Sequence, residues 1–449
     1  MTHTGMRHEA EVDRALVLGG SMAGLLAARA LSESYGEVIV IERDQLPSGA
    51  SHRRGVPQDR HIHGLIGRGQ QILDELFPGF TDDLRDLGAP LVDQLKDARL
   101  YMNGHRLQQG ESGIRVLSAS RTCIESYVRQ RVRQLPGVSI LDGTDACGFV
   151  TTPDRTEVTG VRVRRRAEGS VEESLHADLV VDATGRGTRT EHRLGELGYP
   201  PPGQDTIATD VAYTTALLRL RPDALAGDLA VIVGPRPGHH RGGALAAIEG
   251  GRHILTLIGV LGDRPPTSPD GFRRFAASLE VPDIHDAIAD AELLEGPVGM
   301  RFPSSVRRRY ERMTRFPTGL VVLGDALCNF NPIYGQGIGA CALQAHALSR
   351  ALRRDGRPGD TSSLVRALAK AVDLPWDAAA AADLAFPEVE GHRGVKVRVG
   401  NSYLPRLLAA ASSDYRLGAA FLRVNALLAP PESLFRPAVS LRVMASGLG

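Results

Sequence analysis

The chain has 449 residues, of which 42% are hydrophobic and 23% are charged, a composition typical of a folded protein and not of a disordered or fibrous one. At roughly 100–200 residues per domain, this length indicates two or three structural units. The formal net charge of +1 gives no basic excess for binding phosphate backbones, so we expect no nucleic acid partner.

The sequence contains no run of about 18 apolar residues, so we expect no membrane span. The first dozen residues carry charge and lack an apolar stretch, and we interpret them as a short disordered tail and not as a secretory signal. The cysteines form no CxxC pair, which favours reduced thiols. They are Cys123, Cys147, Cys328 and Cys341. Together these features predict a cytoplasmic protein.

The first predicted elements form a βαβ unit: an apolar strand at 15–18, a helix at 25–31 and a buried strand at 38–41. Residues 19–24 between strand and helix read GGSMAG, which is the GxGxxG spacing with Ser21 in place of the middle glycine. Small residues there let backbone N–H groups and the helix N-terminus approach a pyrophosphate. Glu42 ends the second strand, where a ribose would bind. The pattern predicts dinucleotide binding, and a tight turn without a ligand is the alternative.

A polar and basic segment at 45–69 is predicted to form a long loop before a helix at 70–76. It contains His61 and His63, but two histidines without further ligands at metal spacing are weak evidence for a metal site. We expect this loop either to pack beside the cofactor or to be purely structural. The arginines that could then lie near a phosphate are Arg53, Arg54 and Arg60.

The middle of the chain changes from a helix pattern to strand patterns. Helical spacing at 121–135 is followed by an alternating segment at 158–166, whose arginine-rich end we interpret as solvated, and by a buried strand at 177–182. Long alternating runs at 209–260 predict an antiparallel sheet, distinct from the parallel core. Because these runs are mostly Ala, Leu, Ile and Val, the sheet and the segment 91–115 are predicted to enclose a lipophilic substrate.

A second cofactor signal lies far along the chain. A buried strand at 320–323 ends in Gly324-Asp325, which places a carboxylate where it can accept hydrogen bonds from a polyol chain. After Pro332, residues 334–337 read YGQG and open a helix, so that bare amides and a positive helix end face an anion. We interpret this anion as the N1–C2=O edge of a reduced flavin, and a solvated aspartate in a strand turn is the alternative.

The segment 361–449 is rich in Ala, Leu and Arg and is predicted to be mainly helical. The helices are expected to break at Pro375, Pro387, Pro405 and Pro430. We expect Trp376 to anchor this tail to the core, and stacking on a substrate is the alternative.

The sequence resembles the FAD-dependent monooxygenases of the aromatic-hydroxylase (group A) superfamily. The matching motifs are the glycine-rich turn with Glu42-Arg43, the helix that begins at Arg121, Gly324-Asp325, and YGQG at 334–337 followed by ALQA at 342–345. Within the superfamily it is most similar to bacterial olefin epoxidases and hydroxylases that tailor polyketides and terpenoids. That likeness includes GVPQDRHIH at 55–63 and APPESLFRP at 429–437, so the similarity covers nearly the whole chain.

The resemblance implies that Arg121 contacts the FAD phosphates or ribityl chain, that Asp325 holds the ribityl chain, and that residues 332–337 lie beside the isoalloxazine. The cofactor-binding residues predicted from the motifs and the resemblance are Gly19, Ser21, Met22, Ala23, Gly24, Glu42, Arg43, Arg121, Ala146, Asp325, Pro332, Gly335, Gln336 and Gly337. One departure concerns the segment DATG at 182–185, where Thr184 stands in place of the family's usual Asp. Because that Asp is tied to FAD and pyridine-nucleotide binding, the departure bears on how NAD(P)H docks.

We therefore predict an α/β fold, in which a Rossmann-like FAD-binding domain of the GR2 type carries an inserted antiparallel-sheet substrate domain and a helical C-terminal region. The FAD-binding domain is assigned to residues 1–85, 116–205 and 301–355. The substrate domain is assigned to 86–115 and 206–300, and the helical region to 356–449.

The resemblance implies a flavin-dependent monooxygenase that uses FAD, NAD(P)H and O2. It would epoxidise or hydroxylate a lipophilic secondary-metabolite substrate, as in antibiotic biosynthesis, through a C4a-hydroperoxyflavin. The sequence contains no evident nucleophile–base pair, so no catalytic residue and no metal ligand is assigned. We expect a monomer or a homodimer.

Several alternatives share the FAD framework. A flavin halogenase is disfavoured, because its Trp-x-Trp motif needs two tryptophans and its lysine follows the first helix. This chain has one tryptophan, and its first lysine is Lys96. A reductase of a prenyl-type double bond would act without O2, and a non-redox cyclase or a flavin-binding scaffold would hold FAD structurally.

Overall fold

The computed structural model describes residues 13–65, 67–356 and 360–446, and all elements named below belong to these ranges. The tail expected at residues 1–12 lies outside them. The strands are β1 (Arg14–Leu18), β2 (Glu37–Ile41), β3 (Leu91–Asp93), β4 (Ala98–Met102), β5 (His105–Arg106), β6 (Arg115–Leu117), β7 (Val138–Leu141), β8 (Thr144–Thr151), β9 (Val158–Arg165), β10 (Glu172–His176), β11 (Leu179–Asp182), β12 (Gln204–Arg219), β13 (Ala230–Val233), β14 (Arg241–Ile248), β15 (Arg252–Gly259), β16 (Glu292–Arg308), β17 (Leu320–Val322) and β18 (Cys328–Asn329). The α-helices are α1 (Met22–Leu31), α2 (Gly67–Leu76), α3 (Phe80–Asp86), α4 (Arg121–Arg133), α5 (Thr190–Glu196), α6 (Pro269–Ala277), α7 (Asp283–Ala287), α8 (Gly337–Asp355), α9 (Ser362–Ala371), α10 (Asp373–Asp383), α11 (Val395–Ala410), α12 (Tyr415–Asn425) and α13 (Pro437–Ser446).

Five strands form a parallel sheet in the order β17-β11-β1-β2-β7, which confirms the predicted Rossmann-like core. Strands β11 and β17 are buried along their whole length, as expected for a sheet covered on both faces. The register pairs Leu18 with Ile41 and with Asp182, and Asp182 with Val322. The carboxyl ends of four strands therefore lie at one sheet edge, which brings the segments that follow them together.

Helix α1 packs against α4 and α8. Helix α1, which begins within the first predicted motif, thus contacts α4, which begins at Arg121, and α8, which begins at Gly337. This packing joins three remote parts of the sequence around the same sheet edge.

An eight-stranded sheet has the order β18-β16-β12-β15-β14-β13-β4-β5 and forms a second layer. Its neighbouring strands are antiparallel except β13 and β4, which confirms the antiparallel sheet predicted at 209–260. Strands β12 and β16 pair from Gln204 with Arg308 to Arg219 with Glu292. The sheet therefore extends past the limits of 206 and 300 assigned to the substrate domain, and the domain division itself stays a prediction.

The remaining strands form two smaller antiparallel sheets, one of β8, β9 and β10 and one of β3 and β6. The arginine-rich end of β9 at Arg164 and Arg165 is exposed. It is a solvated strand, as the sequence indicated.

The C-terminal region folds into helices α9 to α13, as predicted, but one of the expected helix breaks is wrong. The chain does break near Pro375, because α9 ends at Ala371 and Pro375 lies in the first turn of α10, where the missing backbone N–H costs no hydrogen bond within the helix. Pro405 lies inside α11, which packs against α10, α12 and α13 and continues to Ala410 despite the lost hydrogen bond. None of the helices in the described ranges combines the length and apolar character needed to cross a membrane.

Candidate active site

A cavity of about 2330 Å³ extends from the carboxyl edge of the parallel sheet to the eight-stranded sheet and the C-terminal helices. All but one of the predicted cofactor residues line it. They are Gly19, Ser21, Met22 and Ala23 in the first motif, Glu42 and Arg43 after β2, Arg121 at the start of α4, Ala146 in β8, and Asp325, Pro332, Gly335, Gln336 and Gly337 in the second motif. The structure thus brings two motifs that are remote in sequence to one cavity.

Gly24 is the predicted residue that does not line the cavity, and it has a packing role. A Cβ at Gly24 would lie 1.8 Å from the carbonyl oxygen of Gly19, and a Cβ at Gly19 would lie 2.7 Å from the carbonyl oxygen of Ala183. Gly19 also has a φ of 103°, which favours glycine. The two glycines allow α1 to begin close against the sheet edge.

The N-terminus of α1 is open to a ligand. Ser21 is the N-cap residue, but its side chain makes no capping hydrogen bond. The N–H groups of the first helical turn are therefore available to an anion on the cavity side, where the helix dipole is positive.

The Ser21 hydroxyl belongs to a buried network with Arg121 and Glu125. It donates to Glu125 Oε2 at 2.8 Å, and Arg121 Nη2 donates both to Ser21 Oγ and to Glu125 Oε2 at 2.9 Å. Burial raises the pKa of Glu125, but the charges of Arg121 and Arg53 and the hydrogen bond from Ser21 outweigh it, so the pKa is lowered. Glu125 is a buried anion that holds Arg121 beside the turn.

Arg53 extends this network to Glu42. Its Nη1 donates to Glu125 Oε1 at 2.6 Å, and its Nη2 lies 2.9 Å from Glu42 Oε2. Glu42 also accepts a hydrogen bond of 2.7 Å from the backbone N–H of Gly20. Arg53, one of the three loop arginines expected near a phosphate, thus fixes two carboxylates behind the glycine-rich turn.

Asp325, in the first part of the second motif, lies half-buried on the cavity wall. Burial raises its pKa, although Arg186, Arg121 and Arg308 oppose the shift. The adjacent Gly324 has a φ of 65°, and a Cβ there would lie 2.6 Å from Cβ of Ala23. The residue before Asp325 is therefore in contact with the first turn of α1.

The loop before α8 presents backbone and amide groups to the cavity. Gly335 has a φ of 66°, and a Cβ at Gly337 would have no neighbour within 4 Å. Gln336 is buried, and within the described residues its Oε1 has no hydrogen-bond partner. The backbone amides of this loop and the Oε1 acceptor of Gln336 fit the polar edge of an isoalloxazine ring. Together with the glycine-rich turn, Arg121 and Asp325, these groups fit FAD as a whole.

Asp383, at the end of α10, supports this loop from behind. Its Oδ1 accepts hydrogen bonds from Asn331 Nδ2 at 2.7 Å and from the Tyr334 hydroxyl at 2.8 Å. The carboxyl is almost fully buried, and burial raises its pKa to about 6 against the opposing effect of these hydrogen bonds. A residue of the C-terminal region thus positions the loop predicted to lie beside the flavin.

His61 and His63 both line the cavity. His61 Nδ1 lies 2.8 Å from Thr215 Oγ1, and His63 Nδ1 lies 2.9 Å from the carbonyl oxygen of His61. Burial, with smaller effects of nearby arginines, lowers the pKa of His61 to about 4 and that of His63 to about 3, so both rings are neutral near pH 7. Across the described ranges, no group of three or more His, Cys, Asp or Glu side chains is arranged to hold a metal ion.

Asp182 binds Thr184, the residue at which the sequence departs from the family pattern. Asp182 is fully buried and accepts hydrogen bonds from the backbone N–H of Thr184 at 2.8 Å and from its hydroxyl at 2.6 Å. The Thr188 and Thr190 hydroxyls also donate to Asp182. The carboxylate therefore fixes the end of β11, while the cavity wall carries the uncharged Thr184.

The part of the cavity between the eight-stranded sheet and the C-terminal helices is lined mainly by apolar side chains. The sheet residues on its wall include Leu100, Ile232, Ala244, Ala246, Ile254 and Ile258, and the helix residues include Leu404, Leu408, Phe421 and Leu434. Trp376 also reaches the wall, but it is only 6% exposed and packs against Phe330 with ring centroids 6.5 Å apart. We call this part of the cavity the apolar lobe.

Glu125 and Asp383 were missed by sequence reasoning. The available signal for Glu125 was its position four residues after Arg121 on a predicted helix, where opposite charges pair. Asp383 had no local signal, because its partners lie about fifty residues away in sequence.

Comparisons with known proteins agree with this geometry. Residues 15–190 match the family model described as FAD dependent oxidoreductase. The chain is 37% identical to protein Rv3254 of Mycobacterium tuberculosis over 432 residues, which cover 93% of this chain and 90% of that protein. It is 28% identical to kynurenine 3-monooxygenase of Salinispora arenicola over 342 residues, which cover 73% of this chain and 69% of that protein.

Among solved structures, the flavin-dependent brominase Bmp2 has the same fold, with a TM-score of 0.68 over 97% of this chain and 99% of that chain at 15% identity. The match to the FAD dependent oxidoreductase model, the similarity to Rv3254 along most of the chain and the fold shared with Bmp2 all agree with a cofactor cavity between the two motifs. Residues 15–190 of this chain therefore match the FAD dependent oxidoreductase family, and the chain as a whole is a relative of protein Rv3254 with the fold of a flavin-dependent enzyme.

Proposed function

We propose that this protein is a monooxygenase that uses FAD, NAD(P)H and O2 to epoxidise or hydroxylate a lipophilic substrate of the secondary-metabolite type. The observation that carries the proposal is the continuity of one cavity from the two cofactor motifs into the apolar lobe. A site for FAD and a site for a lipophilic molecule would then share a boundary at the loop 332–337.

The proposed FAD site uses the residues predicted from sequence. The N–H groups of the turn at 19–24 and Arg121 would bind the pyrophosphate, with Glu125 holding Arg121 in place. Asp325 would accept hydrogen bonds from the ribityl chain, and the amides of Gly335 to Gly337 would face the ring edge. When bound, FAD supplies hydride acceptance and activation of O2.

The protein's own contribution to the reaction is position and exclusion of water. Aliphatic side chains from both the sheet and the helices would orient the substrate and keep the reacting carbon dry. Burial raises the pKa of Tyr213 on the cavity wall to about 12, and His61 is neutral, so neither side chain brings a charge to the lobe near pH 7. An alkene needs no deprotonation before oxygen transfer, which suits a lobe of this kind.

The test is a sequence of spectroscopic and product measurements on the purified, FAD-loaded protein. We expect NADPH or NADH to bleach the flavin absorbance without O2, and air to restore it. With a panel of polyenes and terpenoid alkenes, a product should gain one oxygen atom, and isotopically labelled O2 should supply that atom.

Two outcomes separate the alternatives. A product formed by saturation of a double bond without O2 would identify a prenyl-type reductase. If NAD(P)H does not bleach the bound flavin and the protein forms an isomerised or cyclised product, it is a non-redox cyclase. Either result would overturn the oxygenase proposal.

A further inference from the structure

Exposed large apolar side chains are concentrated on the C-terminal helices. Among the described residues, eight such side chains are exposed, and five of them lie between residues 395 and 444. These five are Val395, Val399, Phe435, Leu441 and Met444, and we call the surface they form the C-terminal face. Isolated exposed apolar residues are ordinary, but a group of them on adjoining elements marks a contact surface.

The elements that carry the C-terminal face are packed together. Val395 and Val399 are one helical turn apart on α11, and Leu441 and Met444 are three residues apart on α13. Helix α11 packs against α13, and the ring of Phe435, just before α13, lies 4.7 Å from that of Tyr403 in α11. The exposed side chains therefore project from neighbouring elements.

The same region carries a strong positive charge. Residues 391–446 contain eight Lys and Arg and two Asp and Glu, a net charge of +6, whereas the whole chain has +1. The rest of the chain therefore has a net charge of −5. Exposed basic residues beside the apolar ones are Lys396, Arg398, Arg406 and Arg436. Within the described part of the chain, none of these four takes part in an ion pair.

The cavity opens at the C-terminal face. Val395, Val399 and Phe435 are at least 45% exposed and also line the cavity, which they can do only at its mouth. Lys396 is likewise exposed and on the cavity wall. A lipophilic molecule leaving an apolar phase at this face would enter the apolar lobe without crossing bulk water.

We propose that the C-terminal face docks the protein peripherally on an anionic lipid bilayer. Apolar side chains flanked by Lys and Arg on helices are the combination that binds the interface of such a membrane. A second copy of the chain is a poorer occupant, because pairing this face with itself would bring together two copies of a segment whose net charge is +6. The proposal goes beyond oxygenation, since docking needs no catalytic turnover.

Vesicle sedimentation tests the proposal with the full-length, FAD-loaded protein. We expect binding to vesicles of phosphatidylcholine mixed with phosphatidylglycerol, weak binding to phosphatidylcholine alone, and weakening by salt. Arg398→Gln/Arg406→Gln should reduce binding about fivefold per lost charge. Leu441→Ser/Met444→Ser should reduce it by tenfold or more, because two apolar side chains no longer insert.

Leu87→Ser/Val171→Ser is the matched control, because it removes two exposed apolar side chains outside the C-terminal face and should leave binding unchanged. If the Leu441→Ser/Met444→Ser variant does not fold, the exposed charge variant and the salt dependence of the wild type decide the question. Absence of binding, or equal binding to neutral and anionic vesicles, would overturn the proposal. The proposal would also be overturned if the wild type dimerises and the Leu441→Ser/Met444→Ser variant does not. The vesicle assay does not depend on NAD(P)H, O2 or product, so it can fail while the oxygenase proposal stands.

Discussion

Glu125 is the residue on which the charged network behind the glycine-rich turn converges. It accepts from Ser21, Arg121 and Arg53, and it is almost fully buried. A buried charge is stable only when it is paired, so removal of the Glu125 carboxylate takes a shared counter-charge from Arg121 and Arg53, although Arg53 keeps its pair with Glu42.

We expect Glu125→Gln to lower the free energy of unfolding by about 3 kcal/mol or more, because Arg53 and Arg121 lose their shared counter-charge. The pKa of Glu125 is lowered in the folded protein, so its stabilising contribution is present above the pKa of an unfolded glutamate, about 4.3. It is lost as the pH falls through the lower folded-state pKa. Urea unfolding as a function of pH measures both effects. Glu292→Gln, in an exposed pair with Arg219, is the control and should cost at most about 1 kcal/mol.

Asp383 has the opposite pH dependence. Its folded-state pKa of about 6 lies above the unfolded value of about 3.9, so the folded state binds more protons between these values. Stability should therefore fall by about 2–3 kcal/mol as the pH rises from about 4 to about 6. Asp383→Asn keeps an acceptor for Tyr334 and Asn331 and should remove this fall.

Unfolding of wild type and variant at both ends of this pH range checks the prediction, with the exposed Asp290→Asn as a control. An unchanged pH profile in the Asp383→Asn variant would contradict it. A shifted flavin absorbance spectrum in Asp383→Ala would further indicate that the residue positions the loop beside the ring.

At the scale of elements, a glycine near the start of α1 has no room for a side chain, whereas the glycine that begins α8 does. Gly24→Ala would place a Cβ 1.8 Å from a backbone oxygen, whereas Gly337→Ala would place one in open space on the cavity wall. We expect Gly24→Ala to lose folded protein. Gly337→Ala should keep the wild-type melting temperature to within a few degrees but bind FAD at least tenfold more weakly, because the added methyl occupies the ring edge of the proposed site.

Thermal unfolding of the apoprotein and fluorescence titration with FAD separate these effects. Equal FAD affinity for Gly337→Ala and wild type would show that the start of α8 is not at the cofactor. Ala351→Gly, inside α8 and away from the cavity wall, is a control that should cost roughly 1 kcal/mol of stability without changing FAD affinity.

The elements that sequence predicted well are those with local signals. Strand β1, the turn at 19–24 and helix α1 follow from hydrophobic runs and small residues that occur within a few positions of one another. The helix around Pro405 could not be predicted, because tertiary packing outweighs the local preference of proline. Glu125 and Asp383 show the same limit at single residues, since their roles depend on partners brought together by the fold.

At the scale of the whole molecule, the apolar lobe should determine which substrates fit. Ala246 of β14 lines the lobe, whereas the next residue, Ala247, is absent from the cavity wall and points to the opposite face of the sheet. Ala246→Phe should lower kcat/KM for a large alkene by about tenfold or more, equivalent to ~1.4 kcal/mol, without changing the flavin spectrum. Steady-state kinetics of Ala246→Phe and the control Ala247→Phe measure the effect, and equal loss in both would place the substrate elsewhere.

The contact of Gly324 with Ala23 has a consequence for biosynthesis. Residues 19–24 leave the ribosome about three hundred residues before β17 and the segment that follows it. Domains fold from the N-terminus as translation proceeds. The βαβ unit formed first, however, lacks the part of the cavity wall to which the later segment with Gly324 and Asp325 belongs. If FAD binds at the proposed site, its stable retention is a late event, and ribosome-bound chains stalled before residue 320 are expected to release the flavin that finished chains keep.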